Sequence, residues 1–346
     1  MSCNASNSVI TRVRAKYGNR LTNKDYSALC GAHSVAEIAS YLKTRTHFSE
    51  AMLKVNESAL HRDNLEKILK NAILKETYEL CQFEKSVGAH IFEYQQMKCE
   101  IDSLVSFIRA LSINQTQDFI LNSNFSTDNY TGLNLLELSK VRDYSELREY
   151  LKNTAYSPVA NLLPSDGEPA DISLIENMLD KILYSHCIEI ADKYLTDDSA
   201  ENVKKIFLLR CELFDILTVY RAKKFYDLSN EQILSCILGF RYLLKKSEYN
   251  NMLNANSAEE VLEIFKTSKY KRYFNLLPTE DISLFCKRLQ FKNVINNIHF
   301  STSPAEVMLA YIFWTEAELY NITNIIEGVR YELEPDEIYK SLIINE

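Results

Sequence analysis

Few residue patterns in this 346-residue chain could carry out chemistry. Asp197 and Asp198 supply half of the aspartate-rich magnesium motif of all-α prenyl-transferring enzymes, but no second aspartate pair accompanies them. Residues 61–64, His-Arg-Asp-Asn, echo a kinase catalytic loop without the glycine-rich loop or the Asp-Phe-Gly that such an enzyme needs. The sequence also lacks the GxxxxGK, GxGxxG, HExxH and GxSxG motifs. We therefore expect no catalytic residue, no cofactor and no bound metal.

The most regular acidic position belongs to a thirteen-residue pattern that occurs three times. Glutamate is third in every copy, and the first two copies also share cysteine, arginine and alanine in register. The apolar residues recur at the three- and four-residue spacing of one helix face, which predicts a long amphipathic helix. The copies are KCEIDSLVSFIRA (98–110), RCELFDILTVYRA (210–222) and EAELYNITNIIEG (316–328).

The shared acids of this pattern are Glu100, Glu212 and Glu318. Each flanks an apolar stripe, so one interpretation places it on the solvated shoulder of its helix. The alternative is that the three carboxylates pair between copies, with Arg109 and Arg221 as candidate partners.

A shorter pattern, with glutamate first, lysine seventh and an aromatic ring last, also occurs three times. A cap-forming residue stands three positions before each glutamate: Ser34, Asp143 and Ser257. That spacing is typical of a capping box, in which the cap oxygen accepts a backbone N–H and the glutamate reaches back. We interpret these glutamates as helix initiators rather than chemical groups. The copies are EIASYLKTRTH (37–47), ELREYLKNTAY (146–156) and EVLEIFKTSKY (260–270).

The offsets between copies indicate a triplicated chain. They are 109 and 114 residues for the shorter pattern and 112 and 106 for the longer one, and the order within the unit is kept. A unit of this size exceeds the repeats of about 20–50 residues that build solenoids, and it can carry several helices around its own core. We predict three helical repeats, at residues 1–128, 129–240 and 241–346.

Composition predicts an all-α fold. The chain has only 7 glycines and 6 prolines, the two residues that helix interiors penalise most. We predict helices near residues 7–19, 23–30, 34–44, 47–54, 60–81, 83–112, 134–140, 143–152, 171–195, 199–224, 230–248, 257–267, 280–290, 304–328 and 335–343. Loops are expected at 122–132 and 162–171.

Net charge and cysteine usage limit the classes of partner that the chain could bind and the cellular compartment that it could occupy. A net charge of −8 argues against a nucleic-acid partner, because phosphate binding needs a basic surface. The eight cysteines are scattered without a CxxC pair, and the six histidines are isolated from one another. We expect buried thiols in a reducing compartment, and we interpret His47, which stands where the other copies have tyrosine, as a packing aromatic. Without a signal-peptide pattern or a membrane-spanning stretch, the chain is expected to be cytoplasmic.

The carboxyl-terminal third resembles the C subunit of archaeal and bacterial A/V-type ATPases, which is homologous to the d subunit of vacuolar ATPases. That family ends in a Lys-Glu-x-Glu-x-x-Asn-Ile-Arg pattern followed by a hydrophobic residue, a glycine and a short last helix. Thr315 and Thr323 replace the two basic residues of the pattern. RVRAK (12–16) is similar to the family's first-helix motif. The matching residues are Glu316, Glu318, Asn321, Ile322, Ile325 and Gly328.

This resemblance implies a funnel-like, three-part helical body with pseudo-threefold symmetry. It implies a non-catalytic rotor subunit that joins the central-shaft subunits of the ATP-hydrolysing head to the membrane rotor ring for proton or sodium transport. It also places the protein peripherally, on the cytoplasmic face of the membrane, through its complex. Asn321 thereby joins the three shared glutamates and the two arginines as a candidate structural or interface residue.

Two other function classes remain open. A helical adaptor or scaffold unrelated to rotary ATPases would have the same composition, and an extended shape binding peptides along a groove would favour it. An all-α catalyst of the prenyl-transferase type would need a buried acidic pair holding magnesium.

Overall fold

The computed structural model describes residues 2–53, 55, 62–113, 115–116, 130, 132–226, 228–274, 277 and 281–344, without the side chains of residues 2–6 and 197. Regular structure within these residues is helical, with no β-strand, so the predicted all-α class is confirmed. The predicted loop 122–132 lies outside the described residues except at positions 130 and 132, and so does His61 of the kinase-like tetrapeptide.

The described residues of the amino-terminal part form six helices. The first short pattern forms one of them, and the first long pattern forms the second half of the last. They are α1 (Ser2–Gly18), α2 (Asn23–Cys30), α3 (Val35–Arg45), α4 (Ser49–Met52), α5 (Arg62–Gln82) and α6 (Gly88–Ser112).

The middle of the chain repeats the succession of short helices and then long ones. A 3₁₀ turn, Ser157–Leu162, separates its first two short helices from its long ones, and a π-helical turn, Ala222–Tyr226, continues its second long helix. The helices are α7 (Leu135–Leu138), α8 (Tyr144–Leu151), α9 (Ile172–Tyr194), α10 (Asp197–Arg221), α11 (Asn230–Ser235), α12 (Lys246–Leu253), α13 (Ala258–Thr267) and α14 (Lys271–Phe274).

Three helices complete the chain: α15 (Ile282–Phe300), α16 (Pro304–Arg330) and α17 (Pro335–Lys340). Ser303 begins α16 as predicted. Its hydroxyl accepts the Glu306 N–H, and Pro304 takes the first helical position, where a missing N–H costs nothing.

The chain divides into two compact units. One combines residues 1–92 with 279–346, and the other holds 93–278, so the boundary falls within α6. Both predicted repeat boundaries, at 128/129 and 240/241, lie inside the second of these units.

The core of the first unit forms around α16. This helix is apolar over most of its circumference and packs against α1, α2, α3, α5, α15 and α17. Ile322, Ile325 and Ile326 are fully buried in one cluster with residues of the amino-terminal helices, among them Leu42 and Leu65. The two ends of the sequence therefore share a single hydrophobic core.

Within the second unit, the core forms around α10, as it forms around α16 in the first. It packs against α9 and against the short helices α12 and α13. Leu213 and Ile216, which begin its predicted apolar stripe, are fully buried. Leu217 and Tyr220, which continue that stripe, are half-buried.

The predicted helix 230–248 is wrong. The chain forms α11, leaves helical structure at Cys236 and begins α12 only at Lys246. The backbone N–H groups of five residues in this gap donate to buried side-chain carboxylates instead of to helical carbonyls: Leu238, Gly239, Tyr242, Leu243 and Leu244. A competing acceptor in the core therefore replaces helical hydrogen bonding here.

Two other predicted helices differ in length. The helix expected at 280–290 continues to Phe300, because Val294, Ile295 and Ile298 carry its buried face onward. The helix expected at 47–54 shrinks to the single turn of α4.

The three capped helices α3, α8 and α13 begin with the same geometry. In α3 the Ser34 hydroxyl accepts the Glu37 N–H, and the Glu37 carboxylate accepts the N–H of His33 at 2.8 Å. The glutamate thus reaches one residue beyond the position that a standard capping box uses. The carboxylates of Glu146 and Glu260 accept the N–H of the residue before their caps in the same way.

Candidate functional site

The shared glutamates of the long helices are buried, so they do not lie on a solvated shoulder. Glu100 is 5% exposed, Glu212 is 0% exposed and Glu318 is 2% exposed. Each carboxylate accepts a backbone N–H from the segment before a short helix and meets the aromatic ring that ends a capped helix. We call these three clusters the carboxylate joints.

The first joint surrounds Glu100 on α6. One of its oxygens accepts the Tyr156 hydroxyl at 2.6 Å. The other accepts the Gly132 N–H at 2.5 Å and the Gln96 side-chain amide at 3.1 Å. A Cβ at position 132 would lie 3.3 Å from this carboxylate, so glycine permits the close approach of the backbone.

The second joint has the most donors. Glu212 on α10 accepts the backbone N–H groups of Tyr242, Leu243 and Leu244 at 2.7–3.2 Å. The Tyr270 hydroxyl donates to the same carboxylate at 2.7 Å. Four donors from two segments therefore replace the water that this fully buried carboxylate loses.

The third joint contains histidine in place of tyrosine. Glu318 on α16 accepts the Leu21 N–H at 2.9 Å, and Nε2 of His47 lies 3.1 Å from its other oxygen. Burial disfavours the charged imidazole, but the neighbouring Glu318, with smaller contributions from Glu76 and the Asn19 backbone, raises the pKa of His47 above its usual value. This joint is therefore a titratable ion pair.

The ring residues reach the carboxylates from a common local turn. The Thr154 hydroxyl donates to the Leu151 carbonyl and accepts the Tyr156 N–H, and Ser268 does the same between Phe265 and Tyr270. In α3 the turn lies one residue later: Thr46 donates to the Leu42 carbonyl and accepts the N–H of Phe48, the residue after His47. The hydroxyl residue that follows each helix's last packed residue thus turns the chain toward the carboxylate.

A second polar contact accompanies two of the joints, three residues further along the long helix. Asp215 accepts the N–H groups of Leu238 and Gly239 and the Tyr249 hydroxyl at 2.7–2.9 Å. Burial raises the pKa of Asp215 to about 6, against the hydrogen bonds, which lower it.

Asn321 occupies the corresponding position on α16. Its side chain donates to the Ile343 carbonyl and accepts the Ile343 N–H, which fastens the carboxyl-terminal segment to the helix. On α6 the equivalent residue is Ser103, which donates to the Cys99 carbonyl of its own helix.

The two candidate arginines lie away from the joints. Arg109 pairs with Glu176 at 2.5 Å on a largely exposed surface, and Arg221 is exposed at the end of α10. The joint carboxylates take their donors from tyrosine, histidine and glutamine side chains and from backbone N–H groups.

Sequence patterns contained a usable signal for the ring partners. Tyr156, Tyr270 and His47 align in one column, which the sequence alone explains as rings that pack between helices. Because each ring carries a polar tip and each long helix carries a shared acid, the pairing of these two columns could have been predicted. The pairing of Asp215 with Tyr249 could not have been predicted, because the first long pattern has no acid at the position of Asp215.

The described part of the chain offers little for catalysis. No group of three or more histidine, cysteine, aspartate or glutamate side chains there is placed to hold a metal ion. Among the helices described, none combines the length and the apolar character needed to cross a membrane. A cavity of about 320 Å³ in the first unit borders His47, Glu76 and Lys16, and the Lys16 ammonium lies 3.2 Å from the Glu76 carboxylate.

Comparison with known proteins shows one family. Residues 9–341 match the model of the family described as ATP synthase (C/AC39) subunit. The match includes all three joints and both long-helix patterns of the second unit.

Individual relatives are distant but similar over nearly their full lengths. The A-type ATP synthase C subunit of Methanosarcina mazei is 23% identical over 345 residues, covering 97% of this chain and 92% of the relative. The same protein of Methanosarcina acetivorans is also 23% identical, with the same coverage. That of Methanosphaera stadtmanae is 21% identical, covering 96% of this chain and 86% of the relative.

Proposed function

This chain belongs to the ATP synthase (C/AC39) subunit family, and we propose that it is a non-catalytic rotor subunit of an A/V-type ATPase. In this role it couples the central shaft of the ATP-hydrolysing head to the ion-carrying ring in the membrane. The observation that carries the proposal is the family match from residue 9 to residue 341.

The proposal includes a body of three pseudo-repeats, 1–128, 129–240 and 241–346, arranged as a funnel around a common axis. The order of the joints supports it. Glu100 of the first repeat bonds to Tyr156 of the second, and Glu212 of the second bonds to Tyr270 of the third. Glu318 of the third meets His47 of the first, so the series of contacts closes on itself. Such closure suits three units around an axis and does not suit an open stack.

Transmission of torque requires a body that does not shear between its parts. A buried carboxylate with several fixed donors resists sliding of the segments it joins. Any displacement would leave a charge without its hydrogen-bond donors in a medium of low polarity. Each joint ties three segments together: a long helix, the segment before a short helix and the end of a capped helix. The three joints therefore supply stiffness where neighbouring repeats meet.

We place the protein on the cytoplasmic face of the membrane as a peripheral subunit. Its partners in this role are the shaft subunits and the ring subunits, and it takes part in ion transport without a cofactor of its own. Packing of protein interiors at near-crystalline density makes a helical body of this kind poorly compressible, which suits a mechanical connector.

A bridging experiment tests the proposal. Membranes carrying the ring, stripped of head and shaft, are incubated with purified shaft subunits, with or without this chain. We expect the shaft to sediment with the membranes only when the chain is present. Retention of the shaft that does not depend on the chain would contradict the proposal.

A matched pair of variants shows whether bridging requires the folded chain or results from nonspecific adhesion. Leu42→Asp introduces a charge at a fully buried position of α3, whereas Thr44→Asp changes an exposed residue of the same helix. Thr44→Asp should bridge as the wild type does, and Leu42→Asp should not.

A further inference from the structure

A second cavity in the first unit, of about 470 Å³, has only cations among the charged residues described in its lining. It lies where the end of α1 and the start of α2 meet α15, α16 and the segment that follows α17. Cavities that hold small molecules measure about 300–1,000 Å³, so the volume is sufficient for a ligand.

The floor of this cavity is apolar and closely packed. Tyr17, Leu21, Trp314 and Ile343 line it, and each of them is only 4–7% exposed. The rings of Tyr17 and Trp314 pack edge to face, with their centroids 5.5 Å apart. A ligand with an apolar body would therefore find a preformed surface on which to bury that body.

Two exposed cations, Arg20 and Lys24, stand at the rim. The Arg20 guanidinium stacks over the Tyr17 ring, 4.4 Å from its centroid, which fixes the position of the charge. Neither cation pairs with an acid among the residues that the structure describes. Asp25, the acid next to Lys24 in sequence, accepts the Thr22 N–H at 2.7 Å and does not line the cavity. The rim thus keeps two cations available to an anion.

The single tryptophan of the chain adds a hydrogen-bond donor. Trp314 is 4% exposed, yet within the described part of the chain its indole N–H has no acceptor. This N–H is not among the unpartnered atoms that are sealed from solvent. Because an indole N–H can only donate and buried polar groups are nearly always partnered, an acceptor on a ligand would complete it.

The cavity beside the third joint has a different charge arrangement. Glu50, Glu76 and Glu79 line it together with Lys16 and Lys75. Lys16 pairs with Glu76, and Lys75 lies 3.9 Å from Glu79. Its cations are therefore neutralised by its own acids, whereas the cations beside Trp314 are not.

We propose that the cavity beside Trp314 binds a small organic acid, whose carboxylate accepts from Arg20, Lys24 and the indole N–H and whose acyl or aromatic body lies on the apolar floor. A set of donors around an apolar surface fits an acceptor group carried on an apolar body. The chain as a whole has a net charge of −8, so general attraction does not bring an anion here. Such a ligand would bind whether or not the chain couples a shaft to a ring.

A pair of dyes tests the proposal on the purified full chain. 8-Anilinonaphthalene-1-sulfonate joins an anion to a flat apolar body, and N-phenyl-1-naphthylamine has the same body without the anion. Energy transfer from Trp314, the only tryptophan, measures the binding of each dye. We expect the sulfonate dye to saturate at a single molecule per chain and to bind roughly tenfold more tightly than the uncharged dye. Decanoate should displace it, and decanol should not.

Variants of the rim locate the anion. Arg20→Gln and Lys24→Gln should each weaken binding of the sulfonate dye by roughly two- to fivefold, as expected for ion pairs at exposed sites. Binding of the uncharged dye should not change. Lys85→Gln is the matched control, because Lys85 is an exposed lysine of the same unit that does not line the cavity.

Three results would overturn the proposal. Equal affinity for the two dyes would show that the anion contributes nothing. A loss of affinity in Lys85→Gln equal to that in the rim variants would show general charge attraction. Unchanged binding of the sulfonate dye to the double variant Arg20→Gln, Lys24→Gln would place the dye at another site. Each of these results leaves the bridging experiment, and with it the proposed function, unaffected.

Discussion

At the scale of single residues, the three joints differ in the side-chain group that meets the carboxylate. Tyr156 and Tyr270 each offer a hydroxyl. Burial, followed by the neighbouring Glu100 carboxylate, raises the pKa of Tyr156 far above its usual value, so that its hydroxyl stays neutral. His47 offers an imidazole that can carry charge. The tyrosine joints are therefore hydrogen bonds to an anion, and the histidine joint is an ion pair whose strength depends on pH.

Removal of one hydroxyl should weaken a tyrosine joint measurably. Tyr156→Phe and Tyr270→Phe each leave a buried carboxylate oxygen without its side-chain donor, which costs about 1–3 kcal/mol of unfolding free energy. Tyr150→Phe is the matched control, because its hydroxyl donates to the Asn134 carbonyl at an exposed site. Chemical denaturation of the three variants measures the difference. Equal stability of all three would show that the joints contribute nothing specific.

The histidine joint should weaken as pH rises. Because the pKa of His47 is higher in the folded chain than its usual 6.5, the stabilisation is complete below pH 6.5 and is lost as pH rises through the folded-state pKa. We therefore expect the unfolding free energy to fall as pH rises above 6.5 and through the folded-state pKa of His47.

A non-titrating variant isolates this contribution. His47→Gln keeps a donor but cannot ionise, so its stability should depend less on pH over the same range. Asp180 and Asp215, whose pKa values burial raises to about 6, complete most of their ionisation below this range. Parallel stability curves for the two proteins would contradict the assignment.

At the scale of elements, sequence patterns predicted most helices because their caps and apolar stripes are local. Leu42, Leu151 and Phe265, each five residues after the first glutamate of the short pattern, are buried to 0–1% exposure. The error at 230–248 arose because the carboxylates that hold that segment, Glu212 and Asp215, lie on a different helix. Local propensity cannot reveal a competing acceptor about 30 residues away in sequence, and the same limit hid the ring partners of the joints.

The contact between α16 and α17 depends on Gly328. A Cβ at that position would lie 2.5 Å from Cγ1 of Ile338, a side chain that is itself 2% exposed. Gly328→Ala should therefore destabilise the first unit by about 1–3 kcal/mol through overpacking. Shortening the neighbour in the double variant Gly328→Ala, Ile338→Ala should cost less than the sum of the two single changes.

Gly18 supplies the control for this prediction. It lies in the last turn of α1 with no atom within 4 Å of an added Cβ, so Gly18→Ala should be neutral or stabilising by up to about 1 kcal/mol. Thermal melting of the single alanine variants and of the double variant measures these changes in stability. Additive losses in the double variant would show that the helices do not rely on this close approach.

At the scale of the whole molecule, the account predicts a connector rather than a catalyst. The chain belongs to a family of ATP synthase subunits, and the described residues contain no cluster that could hold a metal ion. Its recurring polar feature is a set of internal joints whose sequence order closes on itself. A connector of this kind should leave ATP hydrolysis in the soluble head unaffected and should be needed only to link hydrolysis to the ring.

The most direct test compares ATP hydrolysis with ion uptake in membrane vesicles that lack this chain, before and after the purified protein is added back. The account predicts that hydrolysis by the head persists without the chain, that ATP-driven ion uptake is absent, and that add-back restores uptake. Undiminished ion uptake in vesicles without the chain would contradict the rotor-coupling role.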